Sequence, residues 1–223
     1  MRDFLEMAPS RIKTSLPWLL FVVVIILAAY ALGVFQGSGP RQLSDKYGNT
    51  YEGLDGKGIF AKKICISFAS GDTYSGGYQN STFSGEGVFS ALTGFEYQGA
   101  FEEGKMNGYG EYTLQNGDIY KGDFLNSQAE GKGEFHSILG WTYAGDWKAG
   151  LPNGAGKLTS VDGSIYEGDF KTGLADGHGR YKDSTGWTYV GEFVEGMREG
   201  MGTLTLADGV VTSGAWKDNK LLE

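Results

Sequence analysis

The pentapeptide YKGDF at Tyr120–Phe124 decides the fold because it returns. YQGAF at Tyr97, YAGDW at Tyr143, YEGDF at Tyr166 and YVGEF at Tyr189 keep a spacing of 23 residues between successive starts. Self-similarity at such a period marks a repeat array. The frame reaches YSGGY at Tyr74 and a worn copy, TSGAW, at Thr212. Each unit carries a second glycine pair, Gly85/Gly87, Gly108/Gly110, Gly131/Gly133, Gly154/Gly156, Gly177/Gly179 and Gly200/Gly202. A further glycine stands three residues before each new start, at Gly94, Gly117, Gly140, Gly163, Gly186 and Gly209. Most of the 38 glycines are placed by the period.

Tyr120, Gly122 and Phe124 alternate with Lys121 and Asp123, the period-2 pattern of a strand with one apolar face. Gly131, Gly133 and Phe135 continue it. Two such strands, joined by about half a dozen residues rich in Gly, Asn and Glu, predict one β-hairpin per unit. QNGD and VDGS supply the turns between units. Glycine inside a strand weakens it unless something approaches the backbone closely. The Tyr and Phe/Trp columns are therefore expected to lie over the glycines of the adjacent strand. One hairpin buries too little to order itself, so the units must stack.

The pattern Tyr-x-Gly-x-aromatic followed by Gly-x-Gly, at this period over residues 71–223, resembles the MORN (membrane occupation and recognition nexus) repeat. Ser81 and Ser127 depart from the mid-hairpin glycine seen at Gly104, Gly150, Gly173 and Gly196, and Thr212 from the leading Tyr. The resemblance implies an all-β, elongated, single-layer antiparallel hairpin array used for binding. Residues 48–70 keep Gly48, Tyr51 and Gly53 in register but place Lys62 and Ile64 where glycines are due, as a degenerate capping repeat would.

Residues 16–35, LPWLLFVVVIILAAYALGVF, run 20 residues without a charge, long enough to cross a bilayer as a helix. The expectation is a transmembrane helix, with residues 1–15 on the cytoplasmic side and 36–47 as linker. A signal peptide cleaved after Ala29–Ala31 is the alternative, but the apolar run exceeds the usual h-region. Arg11 and Lys13 close before the helix, against Arg41 and Lys46 farther after it, orient the array outside the cytosol.

Net charge is −8. Residues 1–48 hold five bases and three acids, so the array carries −10. That balance speaks against nucleic acid or anionic headgroups as ligands of the array. Cys65 is the single cysteine, so there is no intrachain disulfide. Asn80 begins an NST sequon by pattern alone. His136 and His178 fall in unrelated columns, equivalent to Lys182 and Lys132. Asp123, Asp146, Asp169 and Glu192 share a column, about 10 Å apart by strand spacing, too wide for one metal ion; they read as a solvated acidic stripe. GSGP at Gly37–Pro40 and the GKG triplets lack phosphate-loop spacing. No enzyme constellation, cofactor site or metal site emerges.

A binding role remains. The expectation is a non-enzymatic, membrane-tethered scaffold that binds a membrane-protein partner or another copy of itself, with the bilayer engaged through residues 16–35. The alternative is a module for glycan or cell-envelope polymer, motivated by Trp141, Trp147, Trp187 and Trp216. Trp141 and Trp187 occupy the turn before Tyr143 and Tyr189, where other units carry Asp118, Ser164 or Glu96. The candidate partner-binding residues are Trp141, Trp187, Tyr143, Tyr189, Trp147 and Trp216.

Overall fold

The computed structural model describes residues 41–54, 63–80 and 82–223. The proposed cytoplasmic segment and the helix at 16–35 lie outside them. Among the described residues no helix is long and apolar enough to cross a membrane. The chain divides into two compact units: an N-terminal one reaching Gly117 and including Phe124–Ser127, and a C-terminal one of Asp118–Asp123 with Gln128–Glu223.

The N-terminal unit is an antiparallel meander. It runs through β1 (Arg41–Ser44), β2 (Thr50–Leu54), β3 (Ile64–Ser67), β4 (Thr73–Gln79), β5 (Thr82–Ser90), β6 (Glu96–Glu102) and β7 (Lys105–Thr113). Each strand pairs with the next in the chain. Part of the stretch expected as linker is thus strand, since β1 pairs with β2 through Leu43↔Tyr51. Tyr51↔Ile66 and Ile64↔Gly76 are paired, and both isoleucines are buried.

After β8 (Ile119–Leu125), the C-terminal unit repeats the meander. Its strands are β9 (Gln128–His136), β10 (Thr142–Lys148), β11 (Leu151–Thr159), β12 (Ile165–Lys171), β13 (Leu174–Lys182), β14 (Thr188–Val194), β15 (Met197–Thr205), β16 (Val211–Lys217) and β17 (Lys220–Leu221). From β9 onward every pairing is antiparallel between chain neighbours.

The hairpin connection is shorter than the expected half-dozen residues. Two residues suffice, and in most units both take positive φ, as at Ala149 (50°) and Gly150 (78°). Such a turn matches the right-handed twist of the flanking strands, so the neighbouring Gly, Asn and Glu residues join the second strand. Ser127, in place of the turn glycine, still adopts φ 65°.

A row of glycines crosses the strands. Gly133↔Gly145, Gly145↔Gly156, Gly156↔Gly168, Gly168↔Gly179, Gly179↔Gly191, Gly191↔Gly202 and Gly202↔Gly214 are directly paired in the C-terminal unit. Gly76↔Gly87, Gly87↔Gly99 and Gly99↔Gly110 do the same in the other. This side-chain-free lane is where the tyrosines lie. A Cβ on Gly156 would stand 2.4 Å from the Tyr143 hydroxyl and 2.6 Å from its Cε2, and one on Gly145 would meet Gly156 Cα at 2.5 Å. The expected aromatic-over-glycine ladder is therefore present.

The first glycine of each Gly-x-Gly has a separate task. β10 and β11 slip register between Gly145 and Trp147, which places a bulge in β11 where Gly154 takes φ 110°. Gly154 makes the bulge, and Gly156 returns the strand to the lane.

Gly145→Val is expected to lower stability by about 2 kcal/mol or more, since overpacking against backbone cannot relax by a rotamer change. An unchanged thermal midpoint would contradict the close approach.

Candidate partner-binding surface

The aromatic columns form a zigzag on one face. Tyr143 meets Trp147 edge-on at 5.2 Å and Phe170 at 5.0 Å. Tyr166 likewise meets Phe170 and Phe193, and Tyr189 meets Phe193 and Trp216. Such edge-to-face pairs add about 0.5 to 1.5 kcal/mol each beyond area burial. Where this column holds Trp instead of Phe, the indole finds a partner: Trp147 Nε1 donates to the Gly133 carbonyl at 3.0 Å and Trp216 Nε1 to that of Gly202 at 3.1 Å.

These contacts locate the six candidate residues. Tyr143, Tyr189, Trp147, Trp216 and Trp141 are all buried. Trp141 stacks on Phe135 with centroids 4.9 Å apart. Trp187 alone is half-buried, packed on Tyr181 at 5.0 Å and under the Arg198 guanidinium at 5.7 Å. Arg198 fills a column that is Ala129, Pro152 and Ala175 in earlier units, and its guanidinium also covers Trp216 at 4.4 Å.

The residue two before each leading Tyr alternates in kind: Asp72, Phe95, Asp118, Trp141, Ser164, Trp187. Phe95, not Glu96, is the equivalent of the two tryptophans. The polar members bind the next inter-unit turn: Asp72 accepts the Leu92 amide at 2.9 Å, Asp118 that of Ile138 at 2.9 Å, and Ser164 Oγ that of Ser184 at 3.1 Å. The aromatic members stack on a ring of the preceding strand instead. This two-unit alternation was visible in DIYKGDF against SIYEGDF and in the repeated GWTY.

The acidic stripe has a structural task. Asp146 accepts the Ala155 amide at 3.0 Å, Asp169 that of His178 at 2.9 Å, and Glu192 that of Met201 at 3.1 Å. Each carboxylate thus satisfies a bulge N–H that the ladder leaves free. On the same residues the backbone carbonyl is held by the ladder tyrosine, Tyr143 on Asp146 at 2.9 Å and Tyr166 on Asp169 at 3.0 Å. Among the described residues no group of His, Cys, Asp or Glu is arranged to hold a metal ion.

The opposite, open face changes character along the C-terminal unit. Over β11–β13 it is charged, with Lys157 paired to Glu167 at 2.8 Å, which, with the nearby Arg180, holds the Glu167 carboxyl below its ordinary range. Over β14–β16 the same columns hold Val190, Met201 and Thr203 where β12 and β13 hold Glu167, His178 and Arg180. Val190, Met201 and Val211 are 54%, 63% and 61% exposed. No periodic signal marks Val190 and Met201, because they are departures from the period.

Fold and surfaces together define a β-hairpin-repeat protein. Residues 97–119, 120–138, 143–165, 166–188 and 189–211 match the family model described as MORN repeat, and the chain carries five such repeats there. No curated protein matches the chain. Among solved structures, the SAS-4 (dCPAP) TCP domain of Drosophila melanogaster, in complex with a proline-rich motif of Ana2 (dSTIL), is similar at 11% identity and a TM-score of 0.44, over 82% of this chain and 96% of that one. The CPAP G-box domain is similar at 14% identity and 0.42, over 80% and 100%. The wild-type TCP10 domain of Danio rerio CPAP is similar at 16% identity and 0.37, over 80% and 94%.

Burial raises the phenol pKa of Tyr74, Tyr97, Tyr143 and Tyr166, and pushes that of Tyr78 up to about 12. The folded state therefore holds these protons after the unfolded chain has released its own near pH 10. Stability is expected to be independent of these groups below about pH 10 and to fall as pH rises above it. Phenolate absorbance from the buried ladder tyrosines should then appear together with unfolding rather than before it; ionisation of the full tyrosine complement in a still-folded chain would contradict the ladder's burial.

Proposed function

We propose that this chain is a non-enzymatic, membrane-tethered scaffold whose repeat array binds a protein partner. The observation that carries the proposal is the exposed apolar strip Val190, Met201 and Val211 on three successive strands, with Val190 and Met201 standing where the preceding repeat holds Glu167 and His178. An exposed apolar group rimmed by polar residues is the mark of an interaction surface. The tether in this proposal is the uncharged run at 16–35, with the array outside the cytosol as flanking charge directs. Glycan binding is the less favoured role, since stacking on sugar needs a free ring face and Trp141, Trp147 and Trp216 give theirs to neighbouring side chains.

Cross-linking of the full chain in membranes, followed by solubilisation in mild detergent, is expected to yield a defined adduct that Met201→Glu abolishes. Recovery of monomer alone would remove the scaffold proposal. Cys65, exposed on β3 beside Ser75 with its Sγ 3.5 Å from the Ser75 Oγ, reports the orientation. A membrane-impermeant maleimide is expected to label it in intact cells; protection until lysis would place the array on the cytoplasmic side.

A further inference from the structure

The turn between β9 and β10 departs from the others at its tip. Its central pair is Ile138–Leu139, 63% and 68% exposed. The equivalent turns hold Leu92–Thr93, Gln115–Asn116, Val161–Asp162, Ser184–Thr185 and Ala207–Asp208. Polar residues are the ordinary choice at such positions. Val161, exposed on the next turn, continues the aliphatic surface, since a Cβ on Gly140 would lie 3.9 Å from its Cγ1. Held in water, Ile138 and Leu139 add little to the core.

The backbone of this turn is satisfied from within the protein. The Ser137 amide donates to the Trp141 carbonyl at 3.0 Å and the Gly140 amide to the Ser137 carbonyl at 2.9 Å. The Ile138 amide donates to Asp118 Oδ1 at 2.9 Å and the Leu139 amide to Ser137 Oγ at 3.2 Å, while that hydroxyl donates to Asp118 at 3.1 Å. All four amides from Ser137 to Gly140 therefore have protein partners. A turn can leave water on that condition, because an N–H unpaired in an apolar phase finds no substitute. Beneath the tip Trp141 stacks on Phe135, which gives the turn a stiff base.

We infer that the Ile138–Leu139 turn enters the headgroup–acyl boundary of the bilayer that carries the tether, as a membrane contact separate from residues 16–35. This rests on the tether in the proposal above. Only residues 36–40 separate that uncharged run from β1 at Arg41, a reach of about 20 Å, so the array begins beside a bilayer surface. Tethering makes insertion an intramolecular event, for which a small apolar contact suffices. Asp118 and Asp162 flank the tip and stay negative while they accept amides of the turns. Insertion is thus limited to the tip side chains, and zwitterionic lipid is preferred to anionic lipid.

The test uses the full chain with Cys65→Ser and Leu139→Cys, labelled at position 139 with the fluorophore NBD. It is reconstituted into phosphatidylcholine vesicles with and without nitroxide-bearing acyl chains. Emission is expected to shift to the blue and to be lost on contact with the nitroxide. The same dye placed through Thr185→Cys, on an exposed turn with a polar tip, should keep its aqueous emission and escape quenching. Ile138→Asp added to the first variant should restore aqueous emission, and phosphatidylserine in place of part of the phosphatidylcholine should weaken the shift. Circular dichroism checks that the variants keep their strands. Equal quenching at 139 and 185, aqueous emission at 139, or a blue shift that nitroxide lipid leaves untouched, which marks contact with another copy of the chain, would overturn the inference. Flotation separates the two readings. A chain that floats with the vesicles keeps the tether whatever the dye reports, and one that does not float removes both.

Discussion

A tyrosine ring laid flat over paired glycines is the contact on which the rest of this structure depends. The ring cannot reach the sheet unless the positions beneath it lack a Cβ, as the 2.4 Å clearance over Gly156 makes plain. Once it lies there, its hydroxyl reaches the carbonyl of the residue three further on, a geometry kept from Tyr74 to Tyr189. Its edge then meets the Phe or Trp on either side. One close approach therefore sets the lane, the bulge and the ring zigzag together. Loss of a single lane glycine would disturb all three.

The bulge shows how the rows of the repeat are coupled. A bulge frees an N–H and a C=O that the ladder would have paired. Here Asp169 takes the freed amide of His178 with its side chain, while its own carbonyl accepts the Tyr166 hydroxyl. The acidic column is needed by the backbone, which explains why it recurs. Ala100 lacks the carboxylate, and the tyrosine half of the clamp remains there, Tyr97 donating to its carbonyl at 2.9 Å.

This packing consumes one face and leaves the side chains of the other open to solvent. The ladder rings are buried in one another and offer little surface for contact. On the open face, side chains are free to vary from unit to unit without touching the lane. Their change from a charged lattice around Lys157 and Glu167 to the neutral strip at Val190 and Met201 is a local specialisation on a uniform frame.

How much of this was legible in the letters depends on whether a feature is periodic. The 23-residue recurrence determined the hairpin unit, the strand assignment and the glycine-under-ring contact, since only a backbone approach explains a glycine in every strand. Tertiary structure alone decided which candidate tryptophans were spent: Trp141 and Trp187 look alike in GWTY, yet the first is buried on Phe135 and the second is half-open under Arg198. It also turned an acidic stripe into bulge pins and shortened the hairpin loop to two residues, because both depend on a register slip between strands. A pattern within one strand is written in the chain itself, whereas a slip or a shared ring face exists only once two strands have met.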